Sequence, residues 1–280
     1  MLQNMVSLPG TTVCITGMTA TALQSISEQN NMGVSLYNQG RFDEAVRVFK
    51  EATSASKTFL SGPMEMERTT TAVVMSTSLQ VLPSKTALTK DMDSLIDRSV
   101  FLKPFEVVLI LGDRQMVNPI YKENCQDRLF FSRLSTILIF NMALTHHAMA
   151  MVSRDEDSKS KREFLSKAMD LYNLAYSIPQ EEQEQEVIEE TILPLFVKAV
   201  LNNLGHCFSS MNDTNNSMAC YELLLRSIII FQQDHHIQCR NNSGESSNEN
   251  FSTDHSSTAC CFLNNTLFLI LKDPGLAPAA

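Results

Sequence analysis

One set of intervals constrains this chain more than any other feature. Gly33 is followed by Leu36, Ala45, Phe49 and Ala52 at 3, 12, 16 and 19 residues. Gly205 is followed by Phe208, Ser217, Tyr221 and Leu224 at those same intervals. Self-similar spacing of this length marks supersecondary units that stack. Leu23, Ile26, Met32 and Leu36 recur at helical spacing and predict a helix over 21–39. Gly40 ends it, because glycine tolerates the left-handed backbone of a C-terminal cap. Asp43 and Glu44 suit the positive end of a second helix, whose apolar face is Phe42, Ala45, Val46, Phe49 and Ala52. A turn this short makes the two helices antiparallel.

The steric expectation follows. Small residues at Gly33/Ala45 and Gly205/Ser217 let two helix backbones approach closely. A middle pair has Ala143 in its first helix and Ala168, Tyr172 and Ala175 in its second. That second set arrives thirteen residues late, which places the loop Ser153–Ser158 at the turn. The aromatics Phe49, Tyr172 and Tyr221 are expected to fill the space toward the next pair. Each pair buries its outer face only by stacking on a neighbour. A further echo runs through Asn31-Met32-Gly33, Asn141-Met142-Ala143 and Asn203-Leu204-Gly205, with a weaker copy at Asn264-Asn265-Thr266-Leu267.

The remaining segments differ. Residues 1–19 are polar and Gly/Pro-marked, and read as flexible. Residues 20–59 form the first helix pair. Residues 60–124 are an insertion, interrupted by Pro63, Pro83, Pro104 and Pro119. Within it Glu106–Leu111, Gly112–Arg114 and Gln115–Tyr121 read as strand, turn and strand of a β-hairpin. Residues 125–234 hold the second and third pairs. Their helices are expected over 129–152, 162–177, from Thr191 with Pro194 in its first turn to Met211, and 213–233. The run 180–186 is acidic and reads as solvated. Residues 235–258 read as a disordered loop, Asn/Ser/Glu-rich from Asn241. Residues 259–280 hold a terminal helix, Cys260–Leu271, that covers the open end of the stack.

At this point the first pair resembles the tetratricopeptide repeat (TPR). Gly33, Gly40, Phe42, Ala45, Phe49 and Ala52 match its signature, with Met32 and Leu36 as conservative variants. Gln29 stands where the family favours Trp, and Lys57 where it favours Pro. Leu204, Gly205, Phe208 and Tyr221 carry the likeness in the third pair, with Ser217 and Leu224 looser. The phrases FNMALTHH and NNLGHCFSSM also resemble a group of algal TPR-like proteins to which no activity is attached. The fold implied is mainly α, a short TPR-like α-solenoid of antiparallel helix pairs with an irregular insertion. The resemblance implies a trough lined by the first helix of each pair. Carried over by offset from the small residue, its lining is Asn30, Val34, Tyr37 and Asn38, then Leu144 and His147, then Asn202 and His206. Ser27, Ile137, Phe140, Ala148, Ala199, Ser209 and Ser210 share those offsets. Family members that clamp a chaperone's C-terminal carboxylate use Lys and Arg there. Here Asn30, Val34, Asn141, Ala199 and Asn203 stand at the corresponding positions, so no carboxylate-clamp binding is expected.

Charge and composition narrow the partner. The net charge is −9 and the pI near 5.2, which argues against a nucleic-acid partner. Seven cysteines without a C-x-x-C fit a reduced, intracellular setting, cytoplasmic or nuclear. No Lys or Arg precedes Arg41, unlike a signal peptide. Leu134–Val152 is apolar but carries Ser135, Thr136, Asn141, Thr145, His146 and His147, a poor lipid face, so no membrane partner is expected.

Chemistry is sparse. His235, His236, Cys239, His255, Cys260 and Cys261 lack the paired spacing of a zinc site. His146-His147 is the one acid/base candidate, with one ring packed and the other facing the trough. No G-x-S-x-G, H-E-x-x-H, P-loop or G-x-G-x-x-G occurs. No catalytic residue, metal or cofactor is expected. The favoured reading is a non-enzymatic protein- or peptide-binding scaffold, its partner an unidentified protein or peptide. Two others stay open: a metal-binding protein or enzyme using the His/Cys-bearing C-terminal third, and a structural subunit that docks through the insertion.

Overall fold

The computed structural model describes residues 13–61, 72–84, 101, 103–117, 124–153, 158–183 and 193–241. In chain order these form β1 (Val13–Thr16), α1 (Gly17–Asn38), α2 (Phe42–Ser61), β2 (Ala72–Pro83), β3 (Phe105–Val117), α3 (Asn124–Val152), α4 (Ser158–Gln183), α5 (Leu193–Ser210) and α6 (Thr214–Asn241). The fold is mainly α and TPR-like, with a small sheet. The chain divides into two compact units. One comprises Ser7–Leu95 and Leu102–Val187; the other comprises Met1–Val6, Ile96–Phe101 and Ile188–Ala280.

In the first unit α1 and α2 form a pair whose turn is set by glycine. Gly40 has φ 75°, the left-handed region. Its N–H donates to the Tyr37 carbonyl at 2.9 Å, and the Arg41 N–H to the Leu36 carbonyl at 3.0 Å. Those two bonds are a Schellman cap, and they satisfy carbonyls that the helix end leaves open. Along the pair, Phe49 lies fully buried against Gly33. A methyl group on Gly33 would sit 2.5 Å from its ring. The aromatic was expected to point toward the next pair. It covers the glycine of its own pair instead, because the absent side chain leaves a slot only a flat ring fills.

The second pair repeats this with alanine. Ala143, Ala168, Tyr172 and Ala175 are fully buried. The Tyr172 ring lies 5.6 Å from Phe140 and 6.0 Å from His147, which bracket Ala143 on α3. The two pairs stack through α2 and α3. Ser56, fully buried, places Oγ 3.1 Å from the Phe131 carbonyl and 2.7 Å from Ser135 Oγ, while Phe59 stacks on Phe131 at 4.8 Å. Thus α3 packs against α2 on one side and α4 on the other. This explains its apolar sequence. Phe130–Val152 is long and apolar enough to cross a membrane, yet 83% of that stretch is buried inside the protein.

The second unit holds the α5/α6 pair. A methyl on Gly205 would meet the Tyr221 ring at 2.7 Å, and Ser217 Oγ donates to the Gly205 carbonyl at 2.9 Å. The turn uses Asn212 at φ 60°, a residue that tolerates this region through its short polar side chain. Asp213 N–H donates to the Phe208 carbonyl at 2.9 Å, repeating the cap. Asp213 Oδ1 then accepts from the Asn216 N–H at 3.2 Å and opens α6.

The sheet of the first unit is antiparallel, in the order β1-β2-β3. Three expectations about the chain's segments change. Residues 13–19, read as flexible, contain β1 and the first turn of α1. Among the described residues no turn forms at Gly112-Asp113-Arg114: β3 runs unbroken through them, and the insertion's antiparallel strand pair is β2 with β3. Met75 pairs with Arg114 and Thr77 with Leu111, so Gly112 and Asp113 oppose Ser76 alone. The glycine makes a bulge, not a turn. Finally α6 continues to Asn241, through 235–241, which composition assigned to a loop. The acidic run extends past the described end of α4 at Gln183. The Asn/Ser/Glu-rich segment beyond Asn241, the terminal helix and the Asn264 echo lie outside the described residues, as does most of the Ser153–Ser158 loop.

The Gly33–Phe49 contact gives a stability test. Gly33→Ala gains about 1 kcal/mol of helix propensity. It also forces a carbon into a buried ring, and overpacking costs about 1–3 kcal/mol. Urea melts should show a net loss of about 1 kcal/mol. With Phe49→Leu added, the double variant should be less destabilised than the sum of the singles by about 1 kcal/mol. Strict additivity would contradict the contact.

Candidate functional site

Two residues along an α-helix are 200° apart in direction. A helix that turns Gly33 or Ala143 toward its paired helix therefore turns Asn31 or Asn141 to the opposite face. In the first unit that face is covered by the start of β3. Ser84 N–H donates to the Pro104 carbonyl at 2.7 Å. Because backbone groups alternate along a strand, Glu106 and Val108 then face β2, while Phe105 and Val107 face away from the sheet.

Those outward groups are met by asparagine. Asn141 Oδ1 accepts from the Phe105 N–H at 2.8 Å, and its Nδ2 donates to the Phe105 carbonyl at 2.8 Å. Asn31 does the same to Val107, with 2.9 Å to the N–H and 2.7 Å to the carbonyl. Asn30 Nδ2 adds a bond to the Phe105 carbonyl at 3.0 Å, and Asn30 Oδ1 accepts from Asn141 Nδ2 at 2.9 Å. A carboxamide offers one acceptor beside its donors, as a peptide unit does, so each asparagine replaces a residue of a neighbouring strand. Asn30 and Asn141 are fully buried, and so are the side chains they flank: Phe105 lies 5.1 Å from Phe140. Glu106 accepts from Ser84 Oγ at 2.7 Å, and Asn38 Nδ2 donates to the same Oγ at 3.2 Å.

The second unit repeats the device on its own. Asn203 Oδ1 accepts from the Phe101 N–H at 2.9 Å, and its Nδ2 donates to the Phe101 carbonyl at 3.0 Å. Asn202 supports it with a 3.2 Å bond to Asn203 Oδ1, as Asn30 supports Asn31 at the same distance. The three gripping asparagines are those of the sequence echo, each two residues before the small residue.

The expected trough residues are placed as follows. Asn30 touches the strand directly and Asn38 touches it through Ser84. Val34, Tyr37, Leu144, His147 and Asn202 are buried, and His206 is half-buried. Ser27, Ile137, Phe140, Ala148 and Ala199 are buried as well, while Ser209 and Ser210 are exposed. Asn31, Asn141 and Asn203 were missing from the offset set, although their shared spacing was visible in the sequence. Lys198, one residue beside an expected clamp position, is buried, and that burial lowers its pKa to about 8.

Acid/base and nucleophilic candidates give little chemistry. His147 is fully buried, its Nδ1 3.5 Å from the Tyr172 hydroxyl, so the ring packs on α4 where it was expected to face the trough. His146 stacks on Phe164 at 6.2 Å. Burial first, then Lys167 and Lys50, lower its pKa to about 4, against a weak opposing pull from Asp43. Burial pushes the Cys207 thiol far up and the Cys220 thiol up to about 11, the reverse of a reactive thiolate. Among the described residues, no three His, Cys, Asp or Glu side chains gather as metal ligands.

His146 makes stability pH-dependent. Its folded pKa of about 4 lies below the unfolded value of about 6.5, so the unfolded chain binds the extra proton first. Stability is full above pH 6.5 and falls as pH drops through that window. Allowing for solvent screening, the loss is roughly 2 kcal/mol by pH 4. Urea midpoints measured from pH 7 to pH 4 should show that slope in wild type and a flatter one in His146→Gln. Equal slopes would contradict the assignment.

Comparison with family models matches the tetratricopeptide repeat over residues 29–59 and 199–227. No curated protein and no solved structure matches. The first match covers the Gly33–Phe49 contact and the Gly40 cap; the second covers Gly205, Asn212 and Tyr221. Residues 29–59 and 199–227 are the two places where a small residue, an aromatic and a left-handed turn recur in one geometry, and the chain carries a TPR-like repeat at each.

Proposed function

We propose that this chain is a non-enzymatic, intracellular protein-binding scaffold whose asparagine-bearing helices α1, α3 and α5 take up extended peptide segments by their main chain. TPR repeats are in general protein–protein interaction modules, and the family is typically non-enzymatic. The observation that carries the finer reading is chemical. Asn31, Asn141 and Asn203 each satisfy both main-chain hydrogen-bonding groups of one residue, and for Asn31 and Asn141 that residue lies in an extended strand. Such bonds hold any sequence except proline, and pockets for the intervening side chains supply selectivity. The reading includes no chaperone-tail clamp, since Asn30, Val34, Asn141, Ala199 and Asn203 give no cation at the corresponding positions. It also includes no nucleic-acid partner, given the charge of −9.

Selection from a random peptide library on the immobilised full-length chain tests this. Enriched peptides should lose at least about tenfold in affinity, near 1.4 kcal/mol, on Asn141→Ala or Asn203→Ala, with circular dichroism unchanged. Enriched peptides that bind both variants like the wild type would contradict it.

A further inference from the structure

The residues gripped in the first unit are the chain's own. Phe105 and Val107 belong to β3, yet neither spends its outward N–H or carbonyl on the sheet. The sheet ladder uses Glu106, Val108 and the residues that alternate with them. Releasing the edge would break the bonds to Asn30, Asn31 and Asn141 and unpack Phe105 and Val107, while the β2–β3 ladder could persist. The strand is thus held twice, by two separable sets of bonds. The set made by Asn30, Asn31 and Asn141 reaches main-chain groups alone, so an extended segment of another sequence can satisfy it equally.

We infer that residues 104–107 occupy in cis a site on α1 and α3 that takes a partner segment in trans, so that the chain holds its own competitor. This rests on the peptide-binding reading and specifies its ligand. The occupant shows the chemistry required. The segment is extended, with an aromatic residue where Phe105 meets Phe140 and a β-branched or aliphatic residue two positions on, where Val107 is 2% exposed. Neither position is proline, since both N–H groups donate. A tethered segment acts at an effective concentration in the millimolar range. An external segment of equal intrinsic affinity therefore binds only in proportion to the open fraction.

The probe is a labelled peptide of residues 101–109, Phe-Leu-Lys-Pro-Phe-Glu-Val-Val-Leu. It is titrated into the full-length wild type and Val107→Pro. Proline at 107 deletes the N–H that faces Asn31 and spares the ladder to β2. Val107→Pro should bind the peptide at least about tenfold more tightly than the wild type. Adding Asn141→Ala to Val107→Pro should abolish that binding. A Val107→Cys chain gives a second reading that needs no weakened strand. Thiol labelling at position 107, located by mass spectrometry, should speed up at least about fivefold with excess peptide. Equal affinity in both chains, or labelling that excess peptide does not change, overturns the inference. If library-selected peptides depend on Asn141 but ignore Val107→Pro, the inference falls and the binding reading stands. If nothing binds even after Val107→Pro, both fall.

Discussion

The geometry of the helix fixes the relation on which this structure depends. A small residue that lets two helices touch, and an asparagine two positions earlier, cannot face the same way. Once Gly33 is pressed against Phe49, Asn31 has to point out of the pair, and the same holds for Ala143 with Asn141 and Gly205 with Asn203. Close packing inside each pair therefore lays out amide side chains on the face outside it. That arrangement is a consequence of the repeat and requires no separate design.

An edge strand completes the picture. β3 lies at one side of a three-stranded sheet, and an unpaired edge invites association with other chains. Its outward amides are also partly buried, where an unmade hydrogen bond costs about 1–3 kcal/mol. Asparagine resolves both problems, because one carboxamide answers one residue's donor and acceptor together. Two consecutive outward positions, Phe105 and Val107, are answered by asparagines from two different helix pairs, which ties the pairs to the insertion between them. The start of β3 thus belongs to the core of its unit, and Asn30 is buried between it and Asn141 of α3.

Much of this was legible in the sequence. The intervals from Gly33 and Gly205 gave the pairs, because steric exclusion acts between residues of fixed helical spacing. Gly40 announced its cap, whereas Asn212 performed the same role without a glycine signal. Gly112-Asp113 misled, since glycine permits a turn and a bulge alike, and only the distant partner β2 decides between them. That partner lies more than twenty residues away in sequence, beyond any local pattern. The trough was misplaced for a related reason. Offsets from the small residue were carried over without knowing that the chain's own strand lies across α1, so the repeated Asn-x-small echo was taken for packing alone. His147 went astray because a helical position does not reveal that Tyr172 waits across the pair.

Amide hydrogen exchange at Val107 tests the central relation most directly. In the wild-type chain that amide should exchange far more slowly than an open strand edge, although it points away from the sheet. Asn31→Ala should then accelerate Val107 by about tenfold or more and leave Glu106 unchanged. A Val107 amide that exchanges in the wild type like an open strand edge would contradict the account.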